Sequence, residues 1–365
     1  MGGTRTFETN RPVDFRPFFS ICIPQYNRTE FVIRACQIFA SQSFKDFEVC
    51  ISDDCSNDRK ESKLLEYLKH SNLVYTYSRT ETNLRYDANL RNAISLSIGR
   101  FLLLMGNDDG LSETGTLQLI HDELVRFHPV AVAITNYREL WSGKVFRRMS
   151  ITGVRGHGPD VATSNFRSYS FLSGIVLEGN GARKSATDAV DGSEMYQMFL
   201  GTRLVAAGGR FLAINHVCVD KDLSIPGEIA DSYRLKPRLK PCPIVERVLP
   251  MGRLLEVIAV ALEPYHLGAK LERHIVQVAG QLYRFTYPFW IIEYRRVQSW
   301  RYAFGVFIAM RPTRISKGLH LSWLAQFQLW LTYLVVGVIA LGVPIRSFDI
   351  LRPRLYAVAK RFRAS

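Results

Sequence analysis

The first clear pattern along the chain is a mostly apolar run at 18–24, interrupted only by Ser20 and of strand length. From there, strand-like runs and helical patterns alternate. Residues 47–52, 73–77, 101–105 and 130–135 read as short buried strands. Residues 30–41 place Phe31, Ile33, Ala35, Ile38 and Phe39 at helical spacing. Residues 58–70 put Leu64, Leu65 and Leu68 on one face, and 87–98 keep Leu90, Ala93, Ile94 and Ile98 in register. Residues 114–127 complete the series as a helix. Strands separated by helices of this length predict an α/β fold: a mixed, mainly parallel sheet with helices on both faces.

After Asn136 the rhythm changes. Residues 141–166 are rich in Gly, Arg and Ser and read as a mobile loop that can include a hairpin. Residues 192–207 are helical and stop at Gly208-Gly209, and 211–214 form another strand. Four prolines among many basic residues mark 226–243 as a boundary. The expected organisation is a flexible N-terminus at 1–17 and a catalytic domain at 18–225, with halves 18–136 and 137–225. A linker at 226–245 and a helical region at 246–365 follow.

Charge separates these regions. Residues 1–230 hold 26 basic and 26 acidic side chains, whereas 231–365 hold 21 basic and 7 acidic, which accounts for the whole net charge of +14. A basic C-terminal third calls for an anionic partner. Its basic residues interleave with long apolar runs, which favours an anionic membrane surface over nucleic acid. Residues 321–345 carry no charge over 25 positions, enough to cross a bilayer. Both flanks are positive: Arg311, Arg314 and Lys317 before, Arg346, Arg352 and Arg354 after. The positive-inside rule keeps both flanks on the cytoplasmic side, so an interfacial helix, or a re-entrant one broken near Gly337 or Gly342, is expected ahead of a single span. The N-terminus shows no leader-like apolar stretch, and the six cysteines show neither zinc spacing nor a disulfide framework. The expected location is the cytoplasmic face of the inner membrane.

The chemistry-bearing residues lie at strand ends. Asn107-Asp108-Asp109 follows the apolar run at 101–105, and Asp53-Asp54 ends the run at 47–52. In an open α/β sheet, ligands bind outside the carboxyl ends of the strands. Adjacent carboxylates repel, and a hard divalent cation relieves that repulsion. Taken singly, Asp53-Asp54 would be an Asx turn, and Asn107-Asp108-Asp109-Gly110 is an equally good turn sequence.

Three motifs in order carry more. Ile21-Cys22-Ile23-Pro24-Gln25-Tyr26-Asn27-Arg28 resembles the opening strand and loop of family 2 glycosyltransferases. The run from Glu48 to Asp58 resembles that family's next signature. The stretch from Asn83 to Asp109 resembles its third, ending in a double Asp. The resemblance covers about 20–215 and fades after 140.

The resemblance implies a GT-A fold, a Rossmann-like nucleotide-binding sheet joined to an acceptor-binding half. It implies inverting transfer of a sugar from a nucleotide diphosphate sugar to a glycan acceptor, polyprenyl-linked given the apolar C-terminus, in surface-polysaccharide synthesis. It assigns Pro24, Tyr26, Asn27, Arg28, Asp53, Asp54, Asn83, Asn89, Arg91 and Asp108 to the nucleotide-sugar side. Asp109, with Asp108 second, would hold Mg²⁺ or Mn²⁺. The sequence departs from the family at Gly106, where an acid is usual, and at Arg85, where Gly is usual. The family's catalytic base comes from an acid near a helix start in the second half. Asp191 and Glu194 both fit, and helix capping is the plain alternative for either. A nucleotidyltransferase is the rival enzyme class, but 24–28 has no phosphate-loop glycine. An inactive GT-A membrane adaptor is the rival outside enzymes.

Overall fold

The structure is a computed structural model and describes residues 4–228, 250–297 and 299–351. It divides into two compact units, Met1–Tyr233 with Val257–Leu267, and Arg234–Glu256 with Gly268–Ser365. Most of the expected linker, together with Cys242 and the basic residues from Arg352 onward, lies outside the described residues.

The first unit runs in chain order through β1 (Thr4–Thr9), β2 (Phe19–Gln25), α1 (Thr29–Ala40), β3 (Phe47–Asp53), α2 (Glu61–His70) and β4 (Tyr75–Thr80). There follow α3 (Arg85–Ser95), β5 (Phe101–Leu104), β6 (Gly110–Leu111), α4 (Thr116–Arg126), β7 (Val132–Glu139), β8 (Lys144–Phe146) and β9 (Gly153–Gly156). It continues with α5 (Pro159–Ser164), β10 (Ile175–Glu178), α6 (Gly179–Lys184), α7 (Tyr196–Ala206) and β11 (Phe211–Lys221). The strands form one mixed sheet in the order β1-β4-β3-β2-β5-β10-β7-β11-β6. Its centre, β4-β3-β2-β5, is parallel. Every residue of β3 is buried, as expected for a parallel strand covered on both faces.

This order contains a reversal. From β2 the chain moves outward to β3 and β4, then returns through α3 to place β5 on the other side of β2. The carboxyl ends of β2 and β5 therefore diverge into a crevice, which is where ligands bind in open α/β sheets.

Two expectations need correction. Residues 4–9 are an edge strand antiparallel to β4, and Arg11 ion-pairs with the buried Glu48. The Thr-rich alternation at 4–9 suits a pleated edge, so 1–17 is not a free arm over its described part. The segment 141–166, read as a mobile loop with a hairpin, is ordered: it holds β8, which pairs back on β7, then β9 paired to β11, and α5. Arg148, inside that segment, is partly buried. It donates to the carbonyls of Thr135, Phe171 and Ser173, each at 2.8 Å, and burial lowers its pKa to about 10.

α8 (Leu254–Leu262) straddles the division between units. The second unit continues through α9 (Ala269–Phe285), α10 (Tyr287–Val297), α11 (Trp300–Ala309), α12 (Pro312–Ile315) and α13 (Trp323–Gly342). Tyr283, Tyr287, Phe307 and Tyr333 form its aromatic centre. α13 runs unbroken through Gly337, where a Cβ would lie 2.5 Å from Phe307 and from Tyr287. Gly337 thus serves close packing, and of the two expected break points the helix is interrupted at the second, directly after Gly342.

Candidate functional site

The loop after β2 turns sharply into α1. Asn27 (φ 46°) and Arg28 (φ 93°) both adopt the left-handed region, which aims the Arg28 side chain across the crevice. There its guanidinium ion-pairs with Asp108 on the loop after β5. Beside it, Asn107 donates to the Gln25 side chain at 2.8 Å and to the Tyr26 carbonyl at 3.4 Å. The two strand ends that flank the reversal are therefore bridged by Arg28–Asp108 and Gln25–Asn107. Tyr26 stands exposed at the rim, and Pro24 is half-buried.

Asp108 and Asp109 differ in environment. Asp109 is 3% exposed, and both its oxygens are engaged. Oδ1 accepts from the Asp222 backbone N–H at 3.0 Å, and Oδ2 accepts from the Ser173 hydroxyl. Burial, then the neighbouring charges of Asp108 and Asp222, push the Asp109 carboxyl up to about 7 against the pull of those hydrogen bonds. Asp108 is the more accessible, with 18% of its side chain exposed. Burial raises its pKa, while Arg28 pulls it down.

Of the two carboxylates expected to hold a metal, Asp108 is the accessible one and Asp109 the buried one. Among the described residues no group of three or more His, Cys, Asp or Glu is disposed to hold an ion. A cleft with one accessible carboxylate next to a buried one still fits Mg²⁺ or Mn²⁺ of the kind held by one or two carboxylates and completed by substrate phosphates. The mutual repulsion within Asp108, Asp109 and Asp222 has the sign that a cation relieves.

The second acidic pair is buried and engaged by backbone N–H groups. Asp53 is 1% exposed, and it accepts from the Ser56 backbone N–H at 2.7 Å, closing its own turn. Asp54 is 2% exposed, and it accepts from the Leu84 and Arg85 N–H groups at 2.6 and 2.9 Å. Both hold the walls of the crevice from behind. Asn83 is exposed and caps Arg85 N–H at 3.1 Å. Arg85 has φ 69°, a conformation that favours glycine, so a non-glycine residue here is strained. Asn89 donates to the Gln25 carbonyl at 2.9 Å, and its own Oδ1 is buried without a partner.

Arg91 points elsewhere. It clamps Asp191 through both guanidinium nitrogens, donates to the Thr187 carbonyl at 2.9 Å, and lies 5.8 Å from the Tyr196 ring. A nucleotide contact and one candidate base thus neutralise each other. Glu194 is exposed at φ 60°, and among the described residues no hydrogen bond or ion pair engages its carboxylate.

Several residues that shape the site carried no role in the sequence reading. Asp87, on α3, accepts from the N–H groups of Glu194, Met195 and Tyr196 at 2.8–3.0 Å and so caps α7. Tyr86 donates to Gln197 at 2.8 Å. Ser173 holds Asp109, and also accepts from the Gly106 N–H at 2.8 Å. Asp222, at the end of β11, closes the site from the far strand. Gln25 stood inside the first quoted motif. Asp87 and Asp222 had no sequence signal, because their partners lie over 100 residues away.

A mixed sheet with a parallel centre, its crevice at the reversal lined by an acidic loop, defines a GT-A-like nucleotide-binding domain. Residues 20–178 match the family model described as Glycosyl transferase family 2, and they are a family 2 glycosyltransferase domain. The chain is 34% identical over 96 residues to abequosyltransferase RfbV of Salmonella typhimurium, covering 26% of this chain and 29% of that protein. It is 26% identical over 95 residues to the GalNAc(5)-diNAcBac-PP-undecaprenol beta-1,3-glucosyltransferase of Campylobacter jejuni, covering 26% and 31%. The matched segments thus span less than a third of either relative. Among solved structures, S. aureus TarS 1-349 in complex with UDP-GlcNAc superposes with a TM-score of 0.58 at 17% identity, covering 88% of this chain and 90% of that one. That likeness bears on the fold.

Proposed function

We propose that this chain transfers a sugar, with inversion, from a nucleotide diphosphate sugar to a hydroxyl of a glycan acceptor in surface-polysaccharide synthesis. The observation that carries the reading is the Arg28–Asp108 pair in the crevice between β2 and β5, inside the family 2 domain. Arg28 is paired with Asp108. With donor bound, its guanidinium turns to the diphosphate, where bidentate contact to phosphate oxygens is favourable. Tyr26 and Asn89 line the nucleoside side, and the unpartnered Asn89 Oδ1 accepts from the ligand.

Asp108 would hold Mg²⁺ or Mn²⁺, with Asp109 behind it fixing the loop. Such an ion supplies charge stabilisation for the departing nucleoside diphosphate. On the acceptor side the hydroxyl oxygen attacks the anomeric carbon as the bond to the diphosphate breaks. The hydroxyl proton passes to a general base. Glu194 fits that role better than Asp191, because its carboxylate is open while Asp191 is clamped by Arg91.

The acceptor is read as lipid-linked, at the cytoplasmic face of the membrane. The Campylobacter relative's name specifies a PP-undecaprenol-linked glycan, and α13 is long and apolar enough to meet a bilayer. The test is a thermal-shift screen of nucleoside diphosphates with and without Mn²⁺, since a ligand that binds the folded state raises its melting temperature. One nucleotide should stabilise wild type and fail with Asp108→Ala. A flat response to every nucleotide would refute the donor site.

A further inference from the structure

We propose that α13 lies along an anionic leaflet without crossing it, its outward face sunk into the headgroup–acyl boundary. This rests on the membrane placement proposed above, but not on the reaction. Seen down its axis, α13 has two apolar faces. Ala325, Leu329, Tyr333, Gly337, Ala340 and Leu341 are buried, and the helix packs on α9, α10 and α11. The opposite face exposes Trp323 (79%), Phe327 (58%), Leu331, Leu334, Val338 (61%) and Ile339 (60%) in a stripe along its whole length. A helix of a soluble domain presents a polar face there, so this one requires an apolar partner.

Two contacts decide between lying and spanning. At its start, the Ser322 N–H and hydroxyl donate to Glu272 of α9 at 2.6 and 2.7 Å. At its end, Arg295 of α10 donates to the Ala340 and Val343 carbonyls at 2.8 and 2.7 Å. Twenty residues separate these ties by about 30 Å, the thickness of the hydrocarbon core. A crossing α13 would carry α9 and α10 into that core with Lys270, Arg273, Arg284, Glu293 and Arg296, which is costly. Lying flat immerses only the stripe.

The choice of an anionic leaflet follows from charge. Residues 231–365 hold 21 basic and 7 acidic side chains, an excess that attracts acidic headgroups and repels a second copy of itself. Between α9 and α13 runs a groove of about 320 Å³ lined by Arg284, Gln328, Thr332 and Leu331. Arg284 folds over Gly280, donating to its carbonyl at 3.0 Å, in a pose that a Cβ at 280 would obstruct at 2.8 Å. A cation in a groove that reaches Leu331 of the stripe matches a lipid phosphate above its acyl chains.

The test floats the full chain with vesicles of phosphatidylcholine alone or with 30% phosphatidylglycerol, in 0.5 M NaCl. Wild type should float with the anionic vesicles. The double variant Phe327→Gln/Val338→Gln should partition at least tenfold less, with an unchanged melting curve. Arg284→Gln should weaken binding to the anionic vesicles several-fold and leave neutral vesicles unaffected. In sealed inverted membrane vesicles, an impermeant maleimide should label both His320→Cys and Ser347→Cys, read by mass spectrometry at each site. Labelling of only one flank would establish a span and overturn the proposal. Wild type left at the bottom of the gradient, or a dimer in light scattering that the double variant splits, would overturn it equally. None of these readouts involves sugar transfer, so the reaction and the surface fail separately.

Discussion

The Ser173 hydroxyl donates to the buried carboxylate of Asp109 and accepts from the Gly106 N–H. One side chain from the loop before β10 thus fixes the acidic loop after β5 at both ends. Ser173→Ala strips Asp109 Oδ2 of its donor and leaves the Gly106 N–H unpaired. Leaving buried polar groups unsatisfied costs about 1–3 kcal/mol each. The variant should lose about 2 kcal/mol in urea denaturation. A loss below the error of the measurement would show that the loop is held by other means.

Asp109 also makes stability depend on pH. Folded, its carboxyl keeps its proton to about 7, while the unfolded chain releases it near 3.8. Between these values the folded state binds more protons, so stability is full below about pH 4, falls as pH rises towards about 7, and is level above. Melting temperatures of the metal-free chain should follow that course, and Asp109→Asn should flatten it. Mn²⁺ should restore more stability at pH 8 than at pH 5, since only the ionised cluster attracts it.

The sheet and the crevice were legible in the sequence because both depend on local pattern. Apolar runs of strand length alternate with helices, and the acids fall at the run ends. The side-chain assignments were less legible, because they depend on contacts across the fold. Arg91 and Asp191 stand 100 residues apart and pair with each other, and no spacing rule announces that. The Asx-turn reading of Asp53, set aside on the strength of the motif, describes its observed hydrogen bond. Arg148 looked like loop charge because its partners are backbone carbonyls, which any sequence supplies.

Asp87 serves α7 from another helix. Three N–H groups at the start of α7 converge on its carboxylate, a cap supplied from α3 where α7 has none of its own. Removing a capping acid costs about 0.5–2 kcal/mol. Asp87→Ala should reach the upper end, near 2 kcal/mol, because the site is buried. Hydrogen exchange at the amides of Met195 and Tyr196 should quicken ahead of the rest of α7. Uniform exchange through the helix would mean that the cap is dispensable.

The two acids near that helix should separate kinetically. Glu194→Gln should lower kcat by at least a hundredfold, the scale of general-base catalysis, with donor affinity unchanged. Asp191→Asn should act through Arg91, loosening the clamp to the Thr187 carbonyl and lowering stability with a smaller effect on kcat. The reverse order, with Asp191→Asn abolishing turnover at full stability, would transfer the base to Asp191.

Gly106 sits where the family pattern has an acid, so Gly106→Asp looks at first like a restoration. The surroundings oppose it. A Cβ at 106 would lie 2.9 Å from Asp109 Oδ2, 3.2 Å from Ser173 Oγ and 3.4 Å from Asp108 Oδ1. The added group would press on the hydrogen bond that Ser173 gives Asp109, and its charge would join an already repulsive cluster. Overpacking of this kind costs about 1–3 kcal/mol before charge is considered. Gly106→Ala isolates the steric part and should destabilise the chain by about 1–2 kcal/mol, while Gly106→Asp should lose more at pH 8 than at pH 5. Equal losses at both pH values would show that contact alone, without charge, excludes the acid from this position.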